Sequence, residues 1–345
     1  MKKNIKVLIT GSQGFIGSYI SDELLRNGYD VVGADNYSKY GKLTRGHDNH
    51  PNFKLYEMDV LSSDFRKMFR NEKPDYVIML AAMIGGISYF HKYAYDLLAT
   101  NERINAQTFD TCIEGHKEGY LKRVLVYSSS MVFENTETYP TPETDILVSP
   151  PPSSTYGFSK LAIEYMAKGA YEQYGLPFSI IRPFNCVGLG EEKALGDEEI
   201  TSGNVKLMLS HVLPDIINKT LHSNGEPIHI LGEGNQIRCY THGKDIAVGT
   251  RLVLESEKAI NNDFNISIAK GHSVIELSKL VWEQIYPGKE FKYVSDKAYE
   301  YDVIKRLPDV SKAKELLNFE ATIPLENTIV ELITYFKEKH TVLND

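Results

Sequence analysis

The sequence predicts an α/β chain: a doubly wound parallel sheet followed by a smaller C-terminal α+β lobe. Three observations predict it. Short apolar runs rich in β-branched residues alternate with helical patterns through residue 185, as parallel strands joined by crossover helices do. The first run is followed at once by three evenly spaced glycines that open a helix. The second run ends in an acid, and beyond Asn185 the alternation stops.

Ile5 to Thr10 is the first expected strand, buried on both faces. Gly11-Ser12-Gln13-Gly14-Phe15-Ile16-Gly17 follows, and Ile20, Leu24 and Leu25 then mark a helix that stops near Asn27-Gly28. Glycines permit a tight turn and close backbone approach. The helix N-terminus, at Gly14, Phe15 and Ile16, offers N–H donors and a positive dipole end to a pyrophosphate. Strand, glycine turn and helix together read as a Rossmann-type dinucleotide site. Asp30 to Asp35 is the second strand. Its terminal acid, with Asn36 beside it, suits the hydroxyls of an adenosine ribose and repels a 2′-phosphate, so NAD is expected over NADP.

Phe53 to Val60 contains a third strand, and Asp59-Val60 past its end is expected near the adenine. Tyr76 to Leu80 is a fourth strand; Ala81 and Ala82 after it let the backbone pass close to the cofactor. A helix is expected over 97–115, with Asn101 near its start. Arg123 to Tyr127 is the fifth strand and delivers Ser128, Ser129 and Ser130 at its C-terminal end, the edge at which such sheets bind ligands. A proline-rich acidic loop leads to a helix over 156–174 that stops at Gly175-Leu176-Pro177. Phe178 to Pro183 is the sixth strand. Residues 1–185 therefore read as the NAD-binding domain. Residues 186–345 read as the substrate lobe, with helices over 206–221, 245–255, 274–285 and 311–317 and strands at 228–231 and 264–266. The chain is expected to cross between the two more than once.

Tyr156 and Lys160 are four residues apart on the helix that follows the Ser128–Ser130 run. That spacing puts both side chains on one face. A phenol ordinarily titrates near ~10, and a neighbouring ammonium favours its phenolate. A serine hydroxyl beside them can hydrogen-bond the substrate oxygen whose proton moves. The three groups suit proton transfer at a carbon that gains or loses hydride.

Composition sets bounds on the rest. A formal net charge of −8 argues against a nucleic-acid binder, which needs a basic face. The three cysteines stand apart with no CxxC spacing, so no metal site is expected and a reducing, cytoplasmic setting is. No apolar run reaches the ~20 residues of a membrane span, and no signal-peptide core follows the N-terminus.

As a set, these residues resemble the extended short-chain dehydrogenase/reductase family, in its nucleotide-sugar epimerase/dehydratase branch. The resemblance rests on Gly11-x-x-Gly14-x-x-Gly17, Asp35, Asp59, Leu80-Ala81-Ala82, Asn101, Ser128–Ser130, Tyr156-x-x-x-Lys160, Arg182-Pro183-Phe184-Asn185, Gly232-x-Gly234-Asn235-Gln236-x-Arg238 and Arg306-x-Pro308-Asp309. It implies Ser129 as the catalytic serine, Tyr156 as the acid/base, and Lys160 as the lysine that binds the nicotinamide ribose and lowers the tyrosine pKa. It puts Gly85, Ser130 and Met131 at the sugar, and Asn185, Arg238 and Arg306 at the substrate diphosphate. A homodimer through the helix carrying Tyr156 and the helix before Ser129 is implied as well.

Departures from the family pattern narrow the chemistry. Dehydratases of the family carry an Asp-Glu pair where this chain has Ser130 and Met131. UDP-glucuronate decarboxylases carry a glutamate, and GDP-fucose synthase and GDP-mannose 3,5-epimerase a cysteine, where Met131 stands. Methionine transfers no proton. Ser210-His211-Val212-x-Pro214 and the Ala81–Ile87 stretch resemble the GDP-sugar enzymes, which makes His211 a candidate substrate contact. Glu134, where a glycine is usual, is expected to alter the edge of the sugar pocket. The expected reaction is 4-epimerisation of a nucleotide sugar through a 4-keto intermediate. The alternatives are a C4 dehydrogenase or 4-ketoreductase, and a non-catalytic NAD-binding relative.

Overall fold

The computed structural model describes residues 5–84, 92–191, 201–202, 205–206, 211–297 and 303–343. Seven parallel strands form the main sheet. They are β1 (Lys6–Thr10), β2 (Asp30–Asp35), β3 (Phe53–Glu57), β4 (Tyr76–Met79), β5 (Arg123–Tyr127), β6 (Phe178–Pro183) and β7 (Asn262–Ile266), in the spatial order β7-β6-β5-β4-β1-β2-β3. The order reverses at β1 and β4, so a crevice opens above their C-terminal ends. That is the place where such a sheet takes its ligand.

Helices cover both faces. On one lie α1 (Phe15–Arg26) and a helix at Gly243–Glu255, with Ile20, Leu24, Ile246 and Val253 buried against Val7, Ile9 and Ile181. On the other lie α2 (Ser63–Glu72), α3 (Ala94–Lys117) and α4 (Thr155–Tyr174), which bury Phe65, Phe69, Phe109, Cys112, Ile163 and Ala167 over Val77, Val124 and Ile180. A strand in the middle of a sheet has two such layers to satisfy, which is why β5 is buried throughout and apolar at Val124, Leu125 and Val126. The sequence pattern leaves α2 unassigned; only Phe65, Met68 and Phe69 of its ten residues are buried.

The expected strand at 264–266 does not belong to the smaller lobe. Its register runs from Asn262 against Ser179 to Ile266 against Pro183, which makes it the seventh strand of the main sheet. The Gly243–Glu255 helix is the crossover that returns the chain there. Asn265, fully buried, donates from its side-chain amide to the carbonyls of Thr141 and Asp309 at 3.0 and 3.1 Å, so this strand is tied to two loops. The smaller lobe has its own core, built from Leu213, Ile217, Leu277, Val281, Trp282, Ile329 and Ile333. The helix expected over 206–221 begins at Val212 and ends at His222. No helix among the described residues is long and apolar enough to cross a membrane.

Candidate active site

The glycine turn is shaped by close approach to itself. A Cβ on Gly17 would lie 2.1 Å from the Gly11 carbonyl oxygen, and Gly11 holds a φ of +75° where a Cβ would come within 3.0 to 3.1 Å of the Leu80–Ala81 backbone. No side chain fits at either position. Thr10 Oγ1 accepts from the N–H groups of Leu80 and Ala81, both at 3.2 Å, and fixes the Leu80-Ala81-Ala82 stretch over the turn. Asp35 accepts from Gln13 N at 2.9 Å and Tyr37 N at 2.8 Å, one on each carboxylate oxygen. Further lone pairs stay available for a ribose diol. Burial pushes its pKa up, and the two backbone donors oppose that. Asn36 donates to Asp59 at 2.9 Å, which ties the ribose side to the loop carrying Val60. Beside the turn, Ser12 Oγ and Gln13 Oε1 are buried without a hydrogen-bond partner. Backbone clearance at the turn, a helix N-terminus and the Asp35 carboxylate fit NAD.

Arg45 adds a link that sequence reasoning missed. Its Nε and Nη2 donate to the Gln13 carbonyl at 3.1 and 2.8 Å, and Nη1 donates to Gly190 at 3.2 Å. The polar loop after β2 is thereby fastened to the glycine turn and to the segment after β6. The only signal in the sequence was a cation in a loop.

Ser129, Tyr156 and Lys160 meet at the C-terminal end of β5. Ser154 caps α4 by accepting from Gly157 N at 3.0 Å, which starts the helix at Thr155 and brings Tyr156 and Lys160 inward. Both are buried, Tyr156 at 6 % and Lys160 at 8 % exposure. Burial raises the Tyr156 pKa; a hydrogen bond with Ser129 and the Arg306 charge oppose it. Lys160 donates to the Tyr127 carbonyl at 2.9 Å, and its ammonium lies 6.0 Å from the centre of the Tyr156 ring. Burial holds Lys160 down at about 8, with the Glu102 carboxylate acting the other way. The cation that bears on the phenol is thus Arg306 rather than Lys160 alone.

Arg306 reaches the site from a short strand, Lys305–Arg306, whose register sets it beside Arg238 of Ile237–Cys239. Arg238 is buried and donates to the Ile237 carbonyl at 2.9 Å and to the carbonyls of Val303 and Ile304. Asn185, in a left-handed turn with φ 38°, donates to the Cys239 carbonyl at 3.2 Å, at the end of that strand. Met131 and Ser130 open a short 3₁₀ turn capped by Ser129, whose Oγ accepts from Met131 N at 3.2 Å.

Other expected site residues are placed differently. Asn101 clamps the Met83 backbone, accepting from its N–H at 2.7 Å and donating to its carbonyl at 3.0 Å, so it acts through the loop after β4. His211 starts the Val212–His222 helix and pairs with Glu191, itself buried. Glu134 accepts from Ser154 N at 2.9 Å and Ser154 Oγ at 2.8 Å, so it steadies the cap of α4 rather than edging the pocket. Gly85 lies outside the described residues.

The comparisons agree with this geometry. A UDP-N-acetyl-alpha-D-glucosaminuronate decarboxylase of Bacillus cytotoxicus is 27% identical, over 98% of this chain and 99% of its own length. The UDP-glucose 4-epimerase of Thermotoga maritima, solved with UDP-glucose, superposes with a TM-score of 0.81 at 28% identity and covers 97% of this chain and all of its own. The UDP-glucuronic acid 4-epimerase of Bacillus cereus, solved with UDP-glucuronic acid and NAD, gives 0.80 at 25% identity with the same coverage. The sequence profile of the NAD dependent epimerase/dehydratase family matches residues 7–267. With that match over most of its length, the chain belongs to the NAD dependent epimerase/dehydratase family, and its cofactor is NAD.

Proposed function

We propose that this NAD-dependent enzyme is a nucleotide-sugar 4-epimerase working through a 4-keto sugar. The observation that carries the reading is a complete Ser129–Tyr156–Lys160 set whose neighbour, Met131, transfers no proton. NAD, when bound, accepts the C4 hydride and returns it. Tyr156 takes the proton of the 4-hydroxyl and gives it back, while Ser129 hydrogen-bonds the same oxygen. Lys160 faces the nicotinamide ribose. Arg306 and Arg238 hold the diphosphate, a fork of N–H donors meeting phosphate oxygens. A keto sugar turned over while its diphosphate stays held offers its other face to hydride.

Homologous decarboxylases make the competing reaction a real one to test. Met131 speaks against it. A homodimer through α3 and α4 belongs to the same reading; it is supported by Phe158 and Tyr165 of α4, which stand 47% and 68% exposed. A cytoplasmic setting fits the three free, buried cysteines.

The experiment starts with protein purified without added cofactor. The nucleotide released on denaturation is identified, and UDP-, dTDP- and GDP-sugars are then followed by proton NMR. Near-stoichiometric bound NAD and a C4 epimer are expected. Stoichiometric consumption of added NAD, with a 4-keto product, would replace the epimerase by a dehydrogenase. Loss of carbon dioxide from a uronate substrate would sink the reading of Met131.

A further inference from the structure

Beside its acid/base, the site is walled with carbon and sulfur. Leu97, Met131 and Tyr156 form one buried cluster, and Met83, Ile84 and Val303 pack against it. The wall draws on four parts of the chain: the loop after β4, the first turn of α3, the 3₁₀ turn after Ser129, and the approach to Arg306. Leu97 is 0% and Met131 4% exposed. Val303 is set by the expected diphosphate arginine, because Arg238 donates to its carbonyl. Three residues on, Arg306 bears on Tyr156. Anion site, acid/base and wall are therefore one assembly.

This placement constrains the sugar. If Tyr156 exchanges the proton on O4, the carbons next to the reacting one are C3 and C5. C3 of common hexoses carries a hydroxyl, whereas the group on C5 is the part that varies among them. A hydroxyl or carboxylate pressed on Met83, Ile84, Met131 and Val303 loses water and gains no partner. A methyl group gains contact there.

We propose that the site selects nucleotide sugars with no polar group at C6, 6-deoxyhexoses foremost, and that Met83, Ile84, Met131 and Val303 set that specificity. The inference rests on the C4 chemistry proposed above. It adds the class of sugar to that reading.

The test uses the NAD-loaded enzyme and matched pairs: a hexose and its 6-deoxy counterpart on UDP, on dTDP and on GDP. Turnover is read as the C4 epimer by proton NMR and as absorbance at 340 nm. A preference for the 6-deoxy partner of about 10- to 100-fold in kcat/KM is expected, the range one hydroxyl commands in an apolar pocket. Val303→Thr, nearly isosteric, should narrow the ratio several-fold, and Met131→Gln gives the same reading if that variant does not fold. Equal or better turnover of the 6-hydroxy sugar overturns the inference and leaves the C4 reading standing. Silence in both readouts with every sugar overturns the C4 reading and takes this inference with it. An unchanged ratio in a folded Val303→Thr removes Val303 from the wall.

Discussion

Arg306 lowers the pKa of Tyr156 from a strand laid in register with the one carrying Arg238. Residues that are 68 positions apart thereby bring two arginines to the Tyr156 side of the sheet edge. A pH dependence follows. The Arg306 charge favours phenolate, so its removal leaves burial less opposed and raises the Tyr156 pKa. The proton acceptor is active above that pKa. Arg306→Gln should therefore move the acidic limb of the kcat/KM profile to higher pH, and activity at neutral pH should fall about tenfold for every pH unit the limb moves. An unchanged limb with a raised KM would make Arg306 a binding group and nothing more.

Lys160 gives a second, opposite effect. It is held at about 8 by burial, well under the ordinary lysine value. Its charge is present below that pH and lost above it, so the basic limb of the profile should fall near pH 8. Stability follows a definite sign. Between about 8 and the ordinary lysine value the unfolded chain binds the proton more readily than the folded one, so this group's contribution makes stability rise with pH through that window. Below it the folded state carries the full cost of a buried ammonium, on the order of a few kcal/mol. Lys160→Met should abolish turnover yet raise the denaturation midpoint at pH 7, with the gain shrinking towards pH 10. A midpoint that falls at pH 7 would mean that the bond to the Tyr127 carbonyl outweighs the burial.

The local part of this architecture was legible and the long-range part was not. The helices at 274–285 and 311–317 and the stop at Gly175 stand where periodicity and capping residues put them. Local signals decide such elements. The strand at 264–266 was legible, but its place as the seventh of the main sheet needed β6 as a partner some 80 residues earlier. Tyr156 and Lys160 face inward together as their spacing implied, and Ser129 hydrogen-bonds Tyr156 as the resemblance implied. The arginine acting on the phenol, the Arg45 clasp and the apolar wall depend on which loops the sheet edge gathers, and no window of sequence carries that.

Glu134 shows how a residue read as a pocket feature serves the helix instead. Its carboxylate holds Ser154, which caps the helix of Tyr156. Glu134→Ala should cost about 1 kcal/mol, the ordinary value of a lost cap. The loss should show as a lower kcat with KM little changed, because the helix start is what places Tyr156. Chemical denaturation and steady-state kinetics on one preparation would check both. A changed sugar preference with normal stability would return Glu134 to the pocket.

Arg182 and Glu164 bind the helix carrying Tyr156 to the sheet. Both side chains are fully buried, and Arg182 Nε and Nη2 meet the two Glu164 oxygens at 2.8 and 2.7 Å. Arg182 Nη1 pairs with Asp263 of β7 at 2.8 Å, and Ser128, next to Ser129, donates to Glu164. Two ion pairs of Arg182 and the Ser128 hydrogen bond thus join α4, β6, β7 and the serine turn. Removing Glu164 alone leaves the buried Arg182 with Asp263 as its one carboxylate, whereas removing Glu164 and Arg182 together takes out both fully buried charges and leaves Asp263 to Lys312, its other partner at 2.6 Å. Glu164→Gln should cost about 3 to 5 kcal/mol in urea denaturation at pH 7. The double change Glu164→Met with Arg182→Met should cost markedly less than the sum of the two single changes. Equal, additive losses would show that the two charges contribute independently. The helix carrying Tyr156 would then be held by its apolar face alone.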